Sequence, residues 1–351
     1  MKNKKVVLGM SGGVDSSVAA ILLKNQGFDV IGVFMRNWAD DGICTAADDY
    51  MDVVKVASAL NIKYFTVNFE KEYRDQVFSY FLREYKKGRT PNPDVMCNTE
   101  IKFKAFLNYA LNFDADYIAM GHYARTKTIN GRTYLCRGAD KNKDQSYFLS
   151  RVKEDALKRT LFPVGDLQKS QVRQIAKDYK LSTADKKDST GVCFIGERDF
   201  NKFLDQFLFT KPGKIVDIDG NVLGKHSGLI HYTIGQRRGI GIGGIGSGEP
   251  FFVADKDLKN NLLIVAQGEK NPALYKKIFE VEDLFWINDE VKFPLNISVK
   301  IRYRAKDEEA VLETKEGKYF VNLKNPLKGI TPGQVAVFYN DEICLGSGII
   351  K

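Results

Sequence analysis

Near the start of the chain, Gly9-Met10-Ser11-Gly12-Gly13-Val14-Asp15-Ser16-Ser17 combines glycine, hydroxyl and carboxylate residues in a spacing suited to phosphate. Glycines let a backbone come close to a ligand, and a helix starting there points its free N–H groups at an anion. Ser11, Ser16 and Ser17 add hydroxyl donors. The segment is not a Walker A loop, which needs a lysine beside its last glycine; no lysine occurs between Gly9 and Ala20. A second glycine run, Gly241-Ile242-Gly243-Gly244-Ile245-Gly246, fits G-x-G-x-x-G literally. It precedes no helical pattern and Pro250 soon follows, so it reads as a loop.

Two cysteines offer a different chemistry. Cys97 follows Gly88-Arg89-Thr90-Pro91-Asn92-Pro93-Asp94-Val95-Met96, which reads as a rigid two-proline loop, with Asn98 or Thr99 then capping a helix to about Leu111. A thiol at a helix start, with Lys102 and Lys104 near it, favours the reactive thiolate. Asp94 is a candidate general acid or base if the loop curls back. Cys193 lies in Lys187-Asp188-Ser189-Thr190-Gly191-Val192-Cys193-Phe194-Ile195-Gly196-Glu197-Arg198, again among cations and flanked by glycines. Cys136 and Cys344 sit in strand-like surroundings and read as small buried hydrophobes, as does Cys44.

The elements that must position these residues alternate. Val6 to Leu8, Val30 to Met35, Tyr64 to Val67 and Tyr117 to Met120 read as strands. Helical spacing follows the first to about Asn25 and fills Ala46 to Leu60 and Glu70 to Lys86. Apolar strands between helices predict a doubly wound parallel α/β sheet buried on both faces. From about Lys211 glycines and β-formers take over. Strand-like runs at 297–301, 319–321 and 336–338, separated by turn signals, predict a small β-barrel. The expected domains are 1–205, catalytic; 206–270, a small central link; and 271–351, the barrel.

Across 351 residues, 53 Lys and Arg against 44 Asp and Glu leave a net charge of +9, which suits a polyanionic partner such as nucleic acid. Five cysteines with no C-x-x-C pair argue against both a zinc site and a disulfide framework. No apolar run is long enough to span a membrane, and the apolar stretch after Lys5 fails as a signal peptide at Ser11-Gly12-Gly13, so the expected location is the cytoplasm.

The Gly9–Ser17 segment resembles the SGGxDS loop of the ATP pyrophosphatases, which implies cleavage between the α- and β-phosphates. The chain as a whole resembles the bacterial tRNA-specific 2-thiouridylase family. The resemblance is carried by Gly9–Ser17, Gly88–Phe103, Gly121-His122-Tyr123, Asn142–Leu149, Lys187–Arg198, His231–Gly244, Val265–Gly268, Ile301–Arg304 and Thr331–Tyr339. It implies an adenine nucleotide alpha hydrolase-like, Rossmann-like catalytic domain. It also implies that ATP, with Mg²⁺, is held by Gly9, Met10, Ser11, Gly12, Gly13, Val14, Asp15, Ser16, Met35 and Gly121. Asn92, Pro93 and Asp94 would contact the target base. His122, Lys143, Asp144, Gln145, Arg302, Tyr303 and Gln334 would contact tRNA through its anticodon arm. The family assigns Cys97 as nucleophile and Cys193 as persulfide carrier, closing as a transient disulfide. A cysteine desulfurase or sulfur-relay protein would donate the sulfur to a monomeric enzyme. On the residues alone, Arg302, Tyr303 and Arg304 read as part of an alternating strand with a solvated face.

Overall fold

A computed structural model describes residues 3–38, 46–188, 198–243, 247–289 and 291–351. Cys44, Cys193 and the end of the 241–246 glycine run lie outside the described residues.

The chain opens with β1 (Lys5–Met10), a helix at Val14–Asn25, β2 (Asp29–Arg36), a helix at Ala46–Ala59 and β3 (Lys63–Asn68). A helix over 70–86 follows, then another over 93–111, then β4 (Tyr117–Ala119). A hairpin, β5 (Ala124–Ile129) and β6 (Arg132–Arg137), precedes the two-residue strand β7 (Thr160–Leu161). Strands β1, β2, β3, β4 and β7 form one parallel sheet in the order β3-β2-β1-β4-β7. Val6, Val7 and Leu8 of β1 are wholly buried, as a central strand covered on both faces requires. The edge strand β3 is largely exposed instead, against the expectation of burial on both faces. Strand order reverses between β1 and β4, so the crevice at their carboxyl ends is where such a sheet binds its ligand.

The helix over 93–111 departs from the sequence expectation. It starts at Pro93 rather than after Cys97. Proline is tolerated at the first helical position, where its missing N–H has no partner to lose, and the Asn92 side chain accepts from the Val95 N–H to cap the end. Cys97 therefore sits one turn inside the helix, 4% exposed. From Cys97 to Ala105 the winding is π-helical. Asn98 Nδ2 donates to the Asp94 carbonyl at 2.9 Å and Thr99 Oγ1 to the Val95 carbonyl at 2.9 Å. These side chains occupy acceptors that α-helical N–H groups would use.

The central domain holds β8 (Gly213–Asp217), β9 (Val222–His226), β10 (Phe251–Asp257) and β11 (Leu262–Gln267), in the order β10-β11-β8-β9. The rest of the chain supplies β12 (Tyr275–Trp286), β13 (Leu295–Lys300), β14 (Glu308–Lys315), β15 (Lys318–Lys328), β16 (Val335–Asn340) and β17 (Ile343–Ile350). These six run β12-β15-β14-β13-β16-β17 and close through a β12–β17 pairing into an antiparallel barrel. Val299, Leu312, Val321 and Phe338 fill it. The β5–β6 hairpin, from within the first 205 residues, pairs through β6 with β17 and extends the barrel sheet. One apolar cluster joins Cys97, Met120 and Tyr147 of the first domain to Val335, Val337 and Tyr339 of the barrel. Arg302, Tyr303 and Arg304 lie in the turn after β13 rather than in a strand.

Candidate active site

The N-terminus of helix Val14–Asn25 lies at the β1/β4 crevice. Its cap residue, Gly13, provides no side-chain acceptor, which leaves the helix start open to an outside anion. Gly12 has φ +73, and a Cβ there would lie 2.4 Å from the Asp49 carbonyl oxygen. The serines brace the turn: the Ser11 N–H donates to Ser16 Oγ at 3.2 Å, and Ser17 Oγ donates to the Gly13 carbonyl at 2.9 Å. Gly121, after β4, abuts the same turn; a Cβ there would stand 2.8 Å from the Ser16 nitrogen. A Cβ at Gly9 would meet Met120 Sδ at 2.7 Å and Met35 Cε at 3.1 Å. The fold thus gathers Gly9 through Ser16, Met35 and Gly121 around one cradle.

Asp15 is held by partners the sequence reading missed. Lys169 Nζ donates to its two oxygens at 2.7 and 2.8 Å, and the Tyr123 hydroxyl donates at 2.7 Å. Lys169 also reaches Asp188 at 2.8 Å, which Lys143 and Arg173 bind at 2.6 and 3.1 Å. Burial alone would push the Asp188 carboxyl up; hydrogen bonds from Lys143 and Lys169 outweigh that and hold it at about 2. Cations that the glycine-rich loop lacks are thus supplied from other elements. Among the described residues no cluster of three or more metal-ligating side chains occurs.

The crevice continues into the Asp94 region through His122. Its ring lies 5.9 Å from Phe103 on the Cys97 helix and 6.2 Å from Phe162. Burial drives the imidazole well below its usual value, with Lys102 adding to the effect, so it is neutral at pH 7. Its Nδ1 is buried without a hydrogen-bond partner among the described residues. The same Lys102 acts on Asp94. Close surrounding protein pushes that carboxyl above the usual range, and the Lys102 ammonium draws it partway back. Lys102 therefore faces Asp94 and His122, while Lys104 turns to Glu100 at 2.6 Å.

The segment leading to Asn92 is clamped by the other two domains. Gln334 Nε2 donates to the Thr90 and Pro91 carbonyls at 2.8 and 3.3 Å. The Thr90 N–H donates to the Pro332 carbonyl at 2.9 Å. Lys256 of β10 donates to the Gly88 carbonyl at 3.3 Å, and burial lowers its pKa to about 8. Arg89 bridges Glu84 and Glu282. Gly333, at φ +90, comes so close that a Cβ would lie 2.9 Å from Arg89 Cβ. Tyr147, wholly buried, donates to the Val335 carbonyl at 2.8 Å.

Several expected tRNA contacts serve the framework. Asp144 is 4% exposed and accepts from the Gly138 and Ser146 N–H groups. Gln145 accepts from the Tyr123 N–H at 3.0 Å. One Arg302 nitrogen donates to the Ile234 and Gly329 carbonyls and to Thr331 Oγ1. Tyr303 packs on Phe148 at 4.4 Å and its hydroxyl lies 3.5 Å from the Lys143 carbonyl. Cys136 and Cys344 are buried in β6 and β17, where burial raises both thiols. Tyr147, Lys169 and Lys256 carry no local signal beyond the motif that contains the tyrosine.

Three family models match consecutive stretches: a tRNA methyl transferase HUP domain over residues 4–197, a tRNA methyl transferase PRC-barrel domain over 201–267, and an aminomethyltransferase beta-barrel domain over 276–350. The chain is 57% identical to the tRNA-specific 2-thiouridylase MnmA 1 of Geobacillus kaustophilus over 355 residues, covering 100% of this chain and 96% of the relative. It is 56% identical to the tRNA-specific 2-thiouridylase MnmA of Ligilactobacillus salivarius, covering 100% and 96%. It is 54% identical to the tRNA-specific 2-thiouridylase MnmA of Bacillus subtilis, covering 99% and 95%.

Proposed function

This chain belongs to the tRNA-specific 2-thiouridylases, and from that premise we propose how its own residues carry the reaction. The enzyme is a sulfurtransferase that thiolates a uridine of tRNA at position 2. The uridine would be the wobble base, presented by a single-stranded anticodon loop that can splay a base into a pocket. ATP would bind at Gly9, Met10, Ser11, Gly12, Gly13, Val14, Asp15 and Ser16, with Met35 and Gly121 completing the site. The open helix start and the glycine cradle fit a phosphate chain. Mg²⁺ would arrive as the counter-ion of the phosphates, with Asp15 the carboxylate of the loop. Transfer of AMP to the uridine O2, with loss of pyrophosphate, would make that oxygen a good leaving group.

Asn92, Pro93 and Asp94 would hold the base. A carboxyl raised by desolvation, as at Asp94, holds a proton more readily than a free carboxylate, which suits a group that has to move one. Cys193 would bring sulfur as a persulfide and Cys97 would act as nucleophile, the two closing as a disulfide when sulfur reaches C2. Among the family's tRNA contacts, His122, Lys143 and Tyr303 would meet RNA directly. Asp144, Gln145, Arg302 and Gln334 would act through the framework they hold. The sulfur would come from a cysteine desulfurase or a relay protein, and the enzyme would work as a cytoplasmic monomer. No described helix is long and apolar enough to cross a membrane.

The observation that carries this reading is the pair Gly121 and His122. One residue abuts the phosphate cradle, and the next touches the helix of Asp94 and Cys97. Purified protein with ATP, Mg²⁺, a persulfide source and tRNA should yield 2-thiouridine by nucleoside mass spectrometry. Full activity in Cys97→Ser or Cys193→Ser would sink the two-cysteine mechanism.

A further inference from the structure

A cleft of about 1110 Å³ opens between the β5–β6 hairpin, the loop after it and the turn that follows β13. Lys300, the last residue of β13, lines it. Its strand neighbour Val299 points into the barrel, so Lys300 points outward, paired in register with Val337 at the interdomain core. Lys300 is only 9% exposed and has no ion pair or hydrogen bond among the described residues. The stem of the side chain is covered while its Nζ is not among the buried unpartnered atoms, so the ammonium is open to an anion in the cleft. Lys141, Arg304 and Lys306 stand exposed around the same cleft, also without ion pairs or hydrogen bonds among the described residues.

The carboxylates there are mostly spent within the chain. Asp144 and Asp307 share Arg137, and Glu342 pairs with Arg125 at 3.0 Å. Asp341 is the remaining acid of the lining. Four cations left over along one cleft suit a chain of phosphates better than a single small anion. We propose that this cleft is a phosphate-backbone site for RNA, anchored by Lys300 and rimmed by Lys141, Arg304 and Lys306. The proposal rests on the reading of this protein as a tRNA-modifying enzyme. None of the four reaches the Asn92–Cys97 segment in any observed contact, so the site would fix the register of the RNA while other residues read the base.

The test is tRNA binding to the full chain across about 50 to 200 mM salt. Lys300→Met should weaken binding about threefold to tenfold and lower the slope of log affinity against log salt by about 1, the loss of one phosphate contact. The exposed triple variant Lys141→Ala, Arg304→Ala, Lys306→Ala should lower the slope by about 2 to 3, and decides the matter if Lys300→Met does not fold. Lys315→Met, on the far β14–β15 turn, should change neither quantity. Wild-type affinity and slope in the cleft variants would overturn the assignment, as would weaker binding at an unchanged slope. A wild-type chain that binds no tRNA would overturn the tRNA reading itself, and the cleft with it.

Discussion

Replacing Gln334 by leucine removes the amide that ties the barrel to the segment leading to Asn92 and Asp94, while leaving a side chain of similar size. Two donated hydrogen bonds are lost, at 2.8 Å to the Thr90 carbonyl and at 3.3 Å to the Pro91 carbonyl. The shorter bond contributes about 1 kcal/mol and the longer one less, and a carbonyl left without a donor adds to the cost. The sum, about 1–2 kcal/mol, would displace Asn92 and Asp94 from the reactive arrangement by a factor of about 5–30. Both Nε2 hydrogens are engaged, so this group has no donor left for an RNA phosphate. Gln334→Leu should therefore slow single-turnover thiolation at saturating tRNA about 5–30-fold and change tRNA affinity less than about twofold. Gln334→Glu, which points a carboxylate at two carbonyls, should be slower still. A large loss of tRNA affinity with an unchanged saturated rate would refute the reasoning and make Gln334 an RNA contact.

Gly12→Ala combines φ +73 with a Cβ 2.4 Å from the Asp49 oxygen, whereas a Cβ at Gly13 would meet only Ser11 Oγ at 3.5 Å. Strain of about 1–2 kcal/mol or more predicts a melting temperature at least about 2–4 °C lower for Gly12→Ala, and little change for Gly13→Ala in thermal melts. Acting as a base, Asp94 must be ionised, so the thiolation rate should fall as pH drops through a pKa above the usual carboxylate range. Asp94→Asn should cost about 10²–10⁴-fold and abolish that limb; a limb that survives would assign it to another group. Asp188 titrates at about 2 in the folded protein and near 4 when unfolded. Its stabilisation is present above about pH 4 and lost between about 4 and 2, about 1 kcal/mol after allowing for partial exposure. Urea unfolding should show Asp188→Asn losing less stability than wild type between pH 5 and 2, as measured by the shift in midpoint, and equal losses would contradict the ion cluster at Lys169.

Local chemistry was legible where it depends on a few consecutive residues. The glycine-rich turn, the alternation of buried strands with helices and the barrel's short strands all follow from backbone freedom and side-chain period. The same logic misjudged Cys97. Two prolines read as a loop through Asn98, yet one of them is welcome at a helix start, so the helix begins four residues earlier than the thiol. It also put Arg302 in a strand, because alternation alone does not show where a strand ends.

What the sequence determined by itself is the inventory: a phosphate loop, an acid in a proline-bounded segment, cysteines set among cations, and the architecture to carry them. Tertiary structure decided the partners. Lys169 meets Asp15 across 154 positions, Gln334 meets Thr90 across 244, and Lys256 meets Gly88 across 168. Such pairs have no period and no shared motif. They arise because strand order sets β1 beside β4 and because the barrel and the central domain close over one segment of the first domain. The environment that raises Asp94 and keeps His122 neutral is likewise a product of burial, which exists only once the domains have packed.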